Sequence, residues 1–222
     1  ELWNGVQWTE GPSMIQARYG PVGAGTPTAG IVFGGHNGTG YVACTEEYTG
    51  TEVNLATYTC TLSSAWSSGG AMITANAGYG ARAGIQNAYA QVVNVADTDS
   101  HEHYNGTSWS NQTCYPYPGR SAGAGGADNE DFIVFGGNLH TCSTKWNGSS
   151  WSATNALNCA RYYLGGSGTS NSTAAVGGYK GSVYAGKHEI WDGTNWTAAT
   201  DHPTGGSISG AATGGTDSED HG

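Results

Sequence analysis

The residues best suited to chemistry are histidines and alternating carboxylates. His101-Glu102-His103 sets two imidazoles on one face of a strand, because side chains alternate at period two, and a pair of imidazoles is the start of a metal site. The same triplet fills the slots that Thr45-Glu46-Glu47 fill in an earlier copy of the sequence pattern, so it reads as ordinary strand and no metal is assigned. Asp97-Thr98-Asp99 alternates carboxylates but lacks the glycine and the distal glutamate of a calcium loop. The sequence contains no Gly-x-Ser-x-Gly elbow, no His-Glu-x-x-His and no phosphate loop. No catalytic residue and no cofactor follow from it.

What remains is recognition. Tyrosine, histidine and amide side chains with little accompanying charge suit contact with sugars or proteins. They occur after Gly-Gly pairs, as His36-Asn37, Asn138-Leu139-His140 and Tyr179-Lys180. They occur again after tryptophan-led segments, as in Tyr115-Pro116-Tyr117-Pro118. The candidate binding residues are therefore His36, Asn37, Tyr115, Tyr117, Asn138, His140, Tyr179 and Lys180, on loops expected to share one face.

The elements that must position these loops are repeats. Lys145-Trp146-Asn147-Gly148-Ser149-Ser150-Trp151 is echoed by Leu2–Trp8, His103–Trp109 and Ile190–Trp196, with a damaged copy at Glu47-Tyr48-Thr49-Gly50 whose tryptophan arrives at Trp66. Each copy reads as an aromatic strand end, a two-residue Asn-Gly or Asp-Gly hairpin turn, and a second strand opening on tryptophan. Between copies, an Ala-Arg or Gly-Arg pair enters a Gly-rich strand (Ala17-Arg18, Gly119-Arg120, Ala160-Arg161), and a short apolar strand closes on Gly-Gly (Ile31–Gly35, Phe132–Gly137, Ala174–Gly178). Four short strands recur about every 45 residues, which is the length of one propeller blade. Glycine and alanine suit crowded inner strands, and an outer tryptophan can wedge between neighbouring sheets.

An apolar strand, Gly-Gly, a gap, an aromatic, a turn and a tryptophan together resemble the kelch motif, carried at Val32–Trp66 and Val134–Trp151. Thr45–Tyr48, Asn105–Trp109, Ala17-Arg18, Gly166–Thr169 and Phe33–Gly35 look like phrases of kelch-like repeat proteins of phages and aquatic viruses. The resemblance implies an all-β fold, a β-propeller of four-stranded blades in one domain over 1–222. Five hairpin units give five blades, with repeats of about 1–44, 45–100, 101–142, 143–187 and 188–222. The ring would close by pairing Glu1–Trp8 with residues 205–220. The resemblance also implies a non-enzymatic virion or extracellular-appendage protein for structure or host attachment, with other virion or filament proteins and surface glycans as partners. The alternative is a secreted lectin-like carbohydrate-binding propeller; a kelch-type oxidase or glycosidase comes after it. Roughly a dozen extra residues between Tyr48 and Trp66, from Thr51 through Cys60 and on, form an insertion between the outer strands of one repeat, placed on the face opposite the Gly-Gly loops, and insertions in regular rings often mark contact sites.

Composition sets outer bounds. Thirty-eight glycines suggest disorder, but eight tryptophans and thirteen tyrosines supply a core. A net charge of -10 disfavours nucleic acid, and no apolar run is long enough to span a membrane. A start at Glu1 and the Gly/Ser/Thr-rich composition fit an extracellular chain with its leader removed. In that setting five cysteines, Cys44, Cys60, Cys114, Cys142 and Cys159, suggest crosslinks. By register Cys142 pairs with Cys159 or Cys114, and Cys44 with Cys60, which leaves one cysteine over; the alternative is that all five are reduced small core residues, and no Cys-x-x-Cys metal spacing appears. Sequons begin at Asn37, Asn105, Asn111, Asn147, Asn171 and Asn195, and all six are glycosylation candidates, although several are also by-products of the Asn-Gly turn.

Overall fold

A computed structural model describes residues 1–3, 8–26, 28–50, 65–76, 80–95, 98–117 and 121–202. Among these residues every regular element is a β-strand, and no helix occurs. β1 (Leu2–Trp3) and β2 (Trp8–Thr9) form a lone hairpin. Four antiparallel four-stranded sheets follow, each a meander in which sequential strands are neighbours. The first contains β3 (Val22–Thr26), β4 (Ala29–Phe33), β5 (Thr45–Thr49) and β6 (Ala65–Ser68). The second contains β7 (Gly80–Ile85), β8 (Ala88–Val95), β9 (Thr98–Tyr104) and β10 (Trp109–Asn111). The third runs through β11 (Gly123–Gly126), β12 (Phe132–Phe135), β13 (Ser143–Trp146) and β14 (Trp151–Ala153). The fourth comprises β15 (Gly165–Gly168), β16 (Thr173–Val176), β17 (His188–Trp191) and β18 (Trp196–Ala198). Successive four-stranded meanders fit a propeller-like fold. Residues 205–220 and the insertion at 51–64, on which closure and the extra contact loop were expected, lie outside the described residues.

The chain divides into two compact units. One comprises Glu1–Gly78 with Ile85–Asn87 and Tyr104–Trp109; the other comprises Tyr79–Gly84, Ala88–His103 and Ser110–Gly222.

The hairpins hold as the spacing predicts, but through a different turn. Trp146 pairs with Trp151 and Trp191 with Trp196 in register, leaving four loop residues rather than two. In the loop 147–150, Asn147 Oδ1 accepts from the backbone N–H of Ser149 at 3.1 Å and Ser150 at 2.9 Å. Only Gly148 takes a positive φ, of 89°. Asp192 caps its own loop in the same way, at 2.8 and 2.7 Å. The asparagine is there because its short side chain can accept from its own turn. All six sequon asparagines are exposed.

Across each hairpin the aromatic rings meet: 5.2 Å between centroids for Tyr48–Trp66, 5.1 Å for Tyr104–Trp109, 5.2 Å for Trp146–Trp151 and 5.4 Å for Trp191–Trp196. The second indole also reaches back. Trp109 Nε1 donates to Thr45 Oγ1 at 3.1 Å, and Trp196 Nε1 to Ser143 Oγ at 3.3 Å, each at the start of the preceding sheet's third strand. This is the predicted wedge, with its polar edge satisfied.

β12 shows why the apolar run Phe-Ile-Val-Phe is unbroken. Phe132 and Val134 pack with Ala81, Ala83, Val92 and Trp146, whereas Ile133 and Phe135 pack with Leu164, Trp191 and Trp196. Alternation at period two serves a core on each face. Inner strands approach too closely for side chains: a methyl group on Gly166 would collide with the Ala124 carbonyl, and one on Gly125 with the Thr173 hydroxyl.

Candidate functional site

A buried arginine closes the base of each long Gly-Gly loop. Arg18 Nη1 donates to the carbonyls of Gly34 at 3.2 Å and Cys44 at 2.8 Å, the two ends of one loop, and Nη2 pairs with Glu46. Glu46 in turn accepts from the backbone N–H of Ile15 at 2.6 Å and Gln16 at 3.1 Å. The fourth sheet repeats the device. Arg161 Nη1 donates to Gly177 at 2.8 Å and Lys187 at 2.6 Å, and Nη2 pairs with Glu189 at 2.8 Å. Glu189 accepts from Asn158 N at 2.7 Å and Asn158 Nδ2 at 2.9 Å. The Arg161 and Glu189 side chains are 0% and 3% exposed, a burial tolerable only because every charge has partners. Burial draws the Arg161 guanidinium below its usual range, while Glu189 acts in the opposite direction.

What the arginines hold in place are aromatic loops. In the first unit Tyr19 and His36 exchange backbone hydrogen bonds of 3.0 and 2.9 Å. Their rings stack at 4.9 Å, and Tyr41 sits edge-on to His36 at 5.4 Å. In the second unit Tyr162 and Tyr179 exchange the same bonds, at 3.1 and 2.7 Å. Tyr179 then lies 5.2 Å from Tyr162 and 4.9 Å from Tyr184, with Tyr163 4.6 Å from Tyr162. Tyr19, Tyr41 and Tyr184 are 64%, 59% and 51% exposed. His36, Tyr162 and Tyr179 are half-buried beneath them; three touching rings, built twice by the same rule with their outer members open to solvent, are no part of a core.

Backbone strain is spent on this display. The residue after Arg-Tyr is Gly20 in one copy, at φ 59°, and Tyr163 in the other, at φ 57°. In the third sheet the Gly-Gly turn carries Asn138 and Leu139 at φ 44° and 62°, where hairpins ordinarily place glycine. Each bulky residue in that conformation costs on the order of 1–2 kcal/mol, and Leu139 remains 44% exposed. Its methyls lie beside Gly181 of the Tyr179 loop.

Of the residues expected from sequence, His36 and Asn37 belong to the first aromatic loop. Tyr179 and Lys180 belong to the second, with exposed Asn138 and His140 on the neighbouring turn of the same unit. Tyr115 belongs elsewhere: it is 3% exposed, its ring 5.0 Å from Trp151, and Tyr117 packs against the same core. A tyrosine in a proline-flanked loop reads as surface, yet this one fills the gap beside a hairpin tryptophan. Sequence reading passed over Tyr19, Tyr41, Tyr162, Tyr163 and Tyr184. The signal was present as an aromatic, a glycine two residues on and a tyrosine five residues on, in His36-Asn37-Gly38-Thr39-Gly40-Tyr41 and again in Tyr179-Lys180-Gly181-Ser182-Val183-Tyr184.

Cys44, Cys114, Cys142 and Cys159 all carry free thiols. The Cys142 pairings expected from register are not formed: Cys114 is exposed and Cys159 Sγ donates to its neighbour's carbonyl, Ala160 O, at 3.8 Å. Cys60 lies outside the described residues. The two histidines do share a face, but bind each other. His101 Nδ1 donates to Thr113 O at 3.0 Å, so its Nε2 accepts from His103 Nε2 at 2.8 Å. Burial and the neighbouring ring push His101 down to about 3, and burial pushes His103 down to about 4.

Charge is distributed against composition. No Asp or Glu occurs between Glu10 and Glu46, or between Asp131 and Glu189, the stretches that carry the aromatic loops. Arg18, Lys145, Arg161 and Lys187 pair with Glu46, Asp131, Glu189 and Asp201, and Arg82 is buried. Among the described residues Lys180 is the one exposed cation without a carboxylate partner. An open pocket of about 240 Å³ in the first unit is lined by Pro12, Gly23, Ile31, Val32, Tyr48 and Trp66. No protein-family model matches the chain, and no curated protein matches it.

Proposed function

We propose that this chain is a non-enzymatic attachment module, a kelch-like five-bladed propeller whose Gly-Gly loops carry an aromatic recognition surface for glycans on a virion or other extracellular appendage. The observation that carries the reading is the duplicated trio of touching rings, Tyr19-His36-Tyr41 and Tyr162-Tyr179-Tyr184, in which Tyr19, Tyr41 and Tyr184 are exposed and His36, Tyr162 and Tyr179 half-buried. Flat aromatic faces suit the apolar faces of sugar rings, and the surrounding amides and imidazoles suit their hydroxyls. A fifth blade is supported by the lone β1–β2 hairpin, which pairs Trp3 with Trp8 as the complete sheets pair Trp146 with Trp151. Such a hairpin is the outer half of a blade, and residues 205–220 are its proposed inner half.

Two measurements test this. A glycan array probed with the purified chain is expected to give saturable binding that falls ten-fold or more in Tyr41→Ala/Tyr184→Ala; undiminished binding in that variant overturns the aromatic surface. Sedimentation of native material with mass spectrometry is expected to find the chain travelling with particle or filament proteins. A free monomer that still binds glycans assigns it instead as a secreted lectin.

A further inference from the structure

We propose that the aromatic loop of the second unit takes a carboxylated polysaccharide, with Lys180 binding a uronate-type carboxylate while Tyr179 and Tyr184 receive the sugar ring. This rests on the attachment reading and narrows it to one ligand class. Three observations meet at this loop. The first is Lys180 itself, exposed next to Tyr179 and without an acidic partner among the described residues, whereas the other lysines, Lys145 and Lys187, are held by Asp131 and Asp201. The second is the absence of any Asp or Glu from Phe132 through His188, a stretch that supplies Leu139, Tyr162, Tyr163, Tyr179, Lys180 and Tyr184. A chain of net charge -10 repels polyanions from a distance, but at physiological salt charges more than about 8 Å away are largely screened. Local charge then decides, and among the described residues of this loop it is positive.

The third observation is geometric. The ring contacts of Tyr162, Tyr179 and Tyr184 are 5.2 and 4.9 Å, and Lys180 N donates to Val183 O at 3.0 Å, fixing the loop so that Lys180 follows the central ring directly. One ammonium is a single point charge, which suits a polymer carrying one carboxylate on each sugar ring, and the arginine at this loop's base, Arg161, is buried in its own ion pair.

The test uses the full chain with polygalacturonate, dextran sulfate and neutral dextran as probes, read by calorimetry or surface-immobilised binding at two salt concentrations. Polygalacturonate is expected to bind at least ten-fold more tightly than dextran, more weakly at higher salt. Lys180→Gln is expected to erase that preference while leaving the far-ultraviolet circular dichroism unchanged, and Tyr184→Ala to weaken both polymers. Equal binding of acidic and neutral polymers, or a preference that survives Lys180→Gln, overturns the carboxylate assignment and leaves the attachment reading standing. Tighter binding of dextran sulfate than polygalacturonate overturns it in favour of sulfate. No binding of any polymer, with glycan arrays also blank, removes the attachment reading itself.

Discussion

Glu189 shows how much one side chain carries. It neutralises a buried guanidinium and accepts from two nitrogens of Asn158. Removing one partner of such a pair strands the other without water, at about 3–5 kcal/mol. Glu189→Ala is therefore expected to lower the unfolding free energy measured by chemical denaturation by that amount, with Arg161→Met/Glu189→Leu much milder. A second residue-scale prediction concerns His101 and His103. Both are neutral in the fold, at about 3 and about 4, against 6.5 for an ordinary histidine. Below pH 6.5 the unfolded chain therefore binds more protons than the native one. Stability contributed by the pair is full above that pH and is lost as pH falls toward 4 and then 3, by up to about 1.4 kcal/mol per pH unit for each ring. Denaturation at pH 7 and pH 4.5 should show a steep loss in the parent and a shallower one in His101→Phe. The sequence reveals little of either cluster. It displays Ala17-Arg18 and Ala160-Arg161 as repeats, but their carboxylate partners lie 28 residues away, a separation no local pattern encodes. It puts the histidines on one face, yet the register with Thr113 that turns them toward each other is a property of the sheet.

At the scale of elements the sequence is far more explicit, because hairpins and buried strands write their period into neighbouring residues. The hairpin that joins the strands of Trp146 and Trp151 and the short apolar strand at Phe132–Phe135 follow from spacing alone. The turn is where reading fell short: Asn-Gly occurs both in two-residue hairpins and in four-residue loops capped by the asparagine itself, and only the pairing of the flanking tryptophans tells them apart. Asn147→Ala, which removes the acceptor of two backbone N–H groups and two exposed serine hydroxyls, is expected to cost about 1–2 kcal/mol in thermal unfolding, whereas Asn147→Asp, which keeps the acceptor as Asp192 does, is expected to be nearly neutral. Glycines sort the same way. Gly166→Ala pushes a methyl into Ala124 and the Phe135 ring and is expected to unfold the second unit at lower temperature; Gly40→Ala meets nothing within 4 Å and is expected to change little.

On the scale of the molecule, the period is plain in the sequence because it is that of a four-stranded sheet, four of which are seen among the described residues, although a repeat counted from hairpin to hairpin joins the outer strands of one sheet to the inner strands of the next. A fifth is signalled only by the β1–β2 hairpin. If residues 203–222 complete that blade, their deletion should lower the melting temperature by several degrees and expose Trp66 to fluorescence quenchers; an unchanged melting curve rejects the five-bladed ring. The hydrogen bonds of the second indoles carry one more consequence. Trp66 donates to Pro12, Trp109 to Thr45, Trp151 to Thr113 and Trp196 to Ser143, and in every case the acceptor precedes the tryptophan in the chain. During synthesis each of these four hairpins can therefore fasten onto strands made before it, without waiting for any still to come. Contacts that all point backwards along the chain favour stepwise assembly as it emerges, so a nascent chain halted after Trp151 should already hold the earlier sheets against a protease.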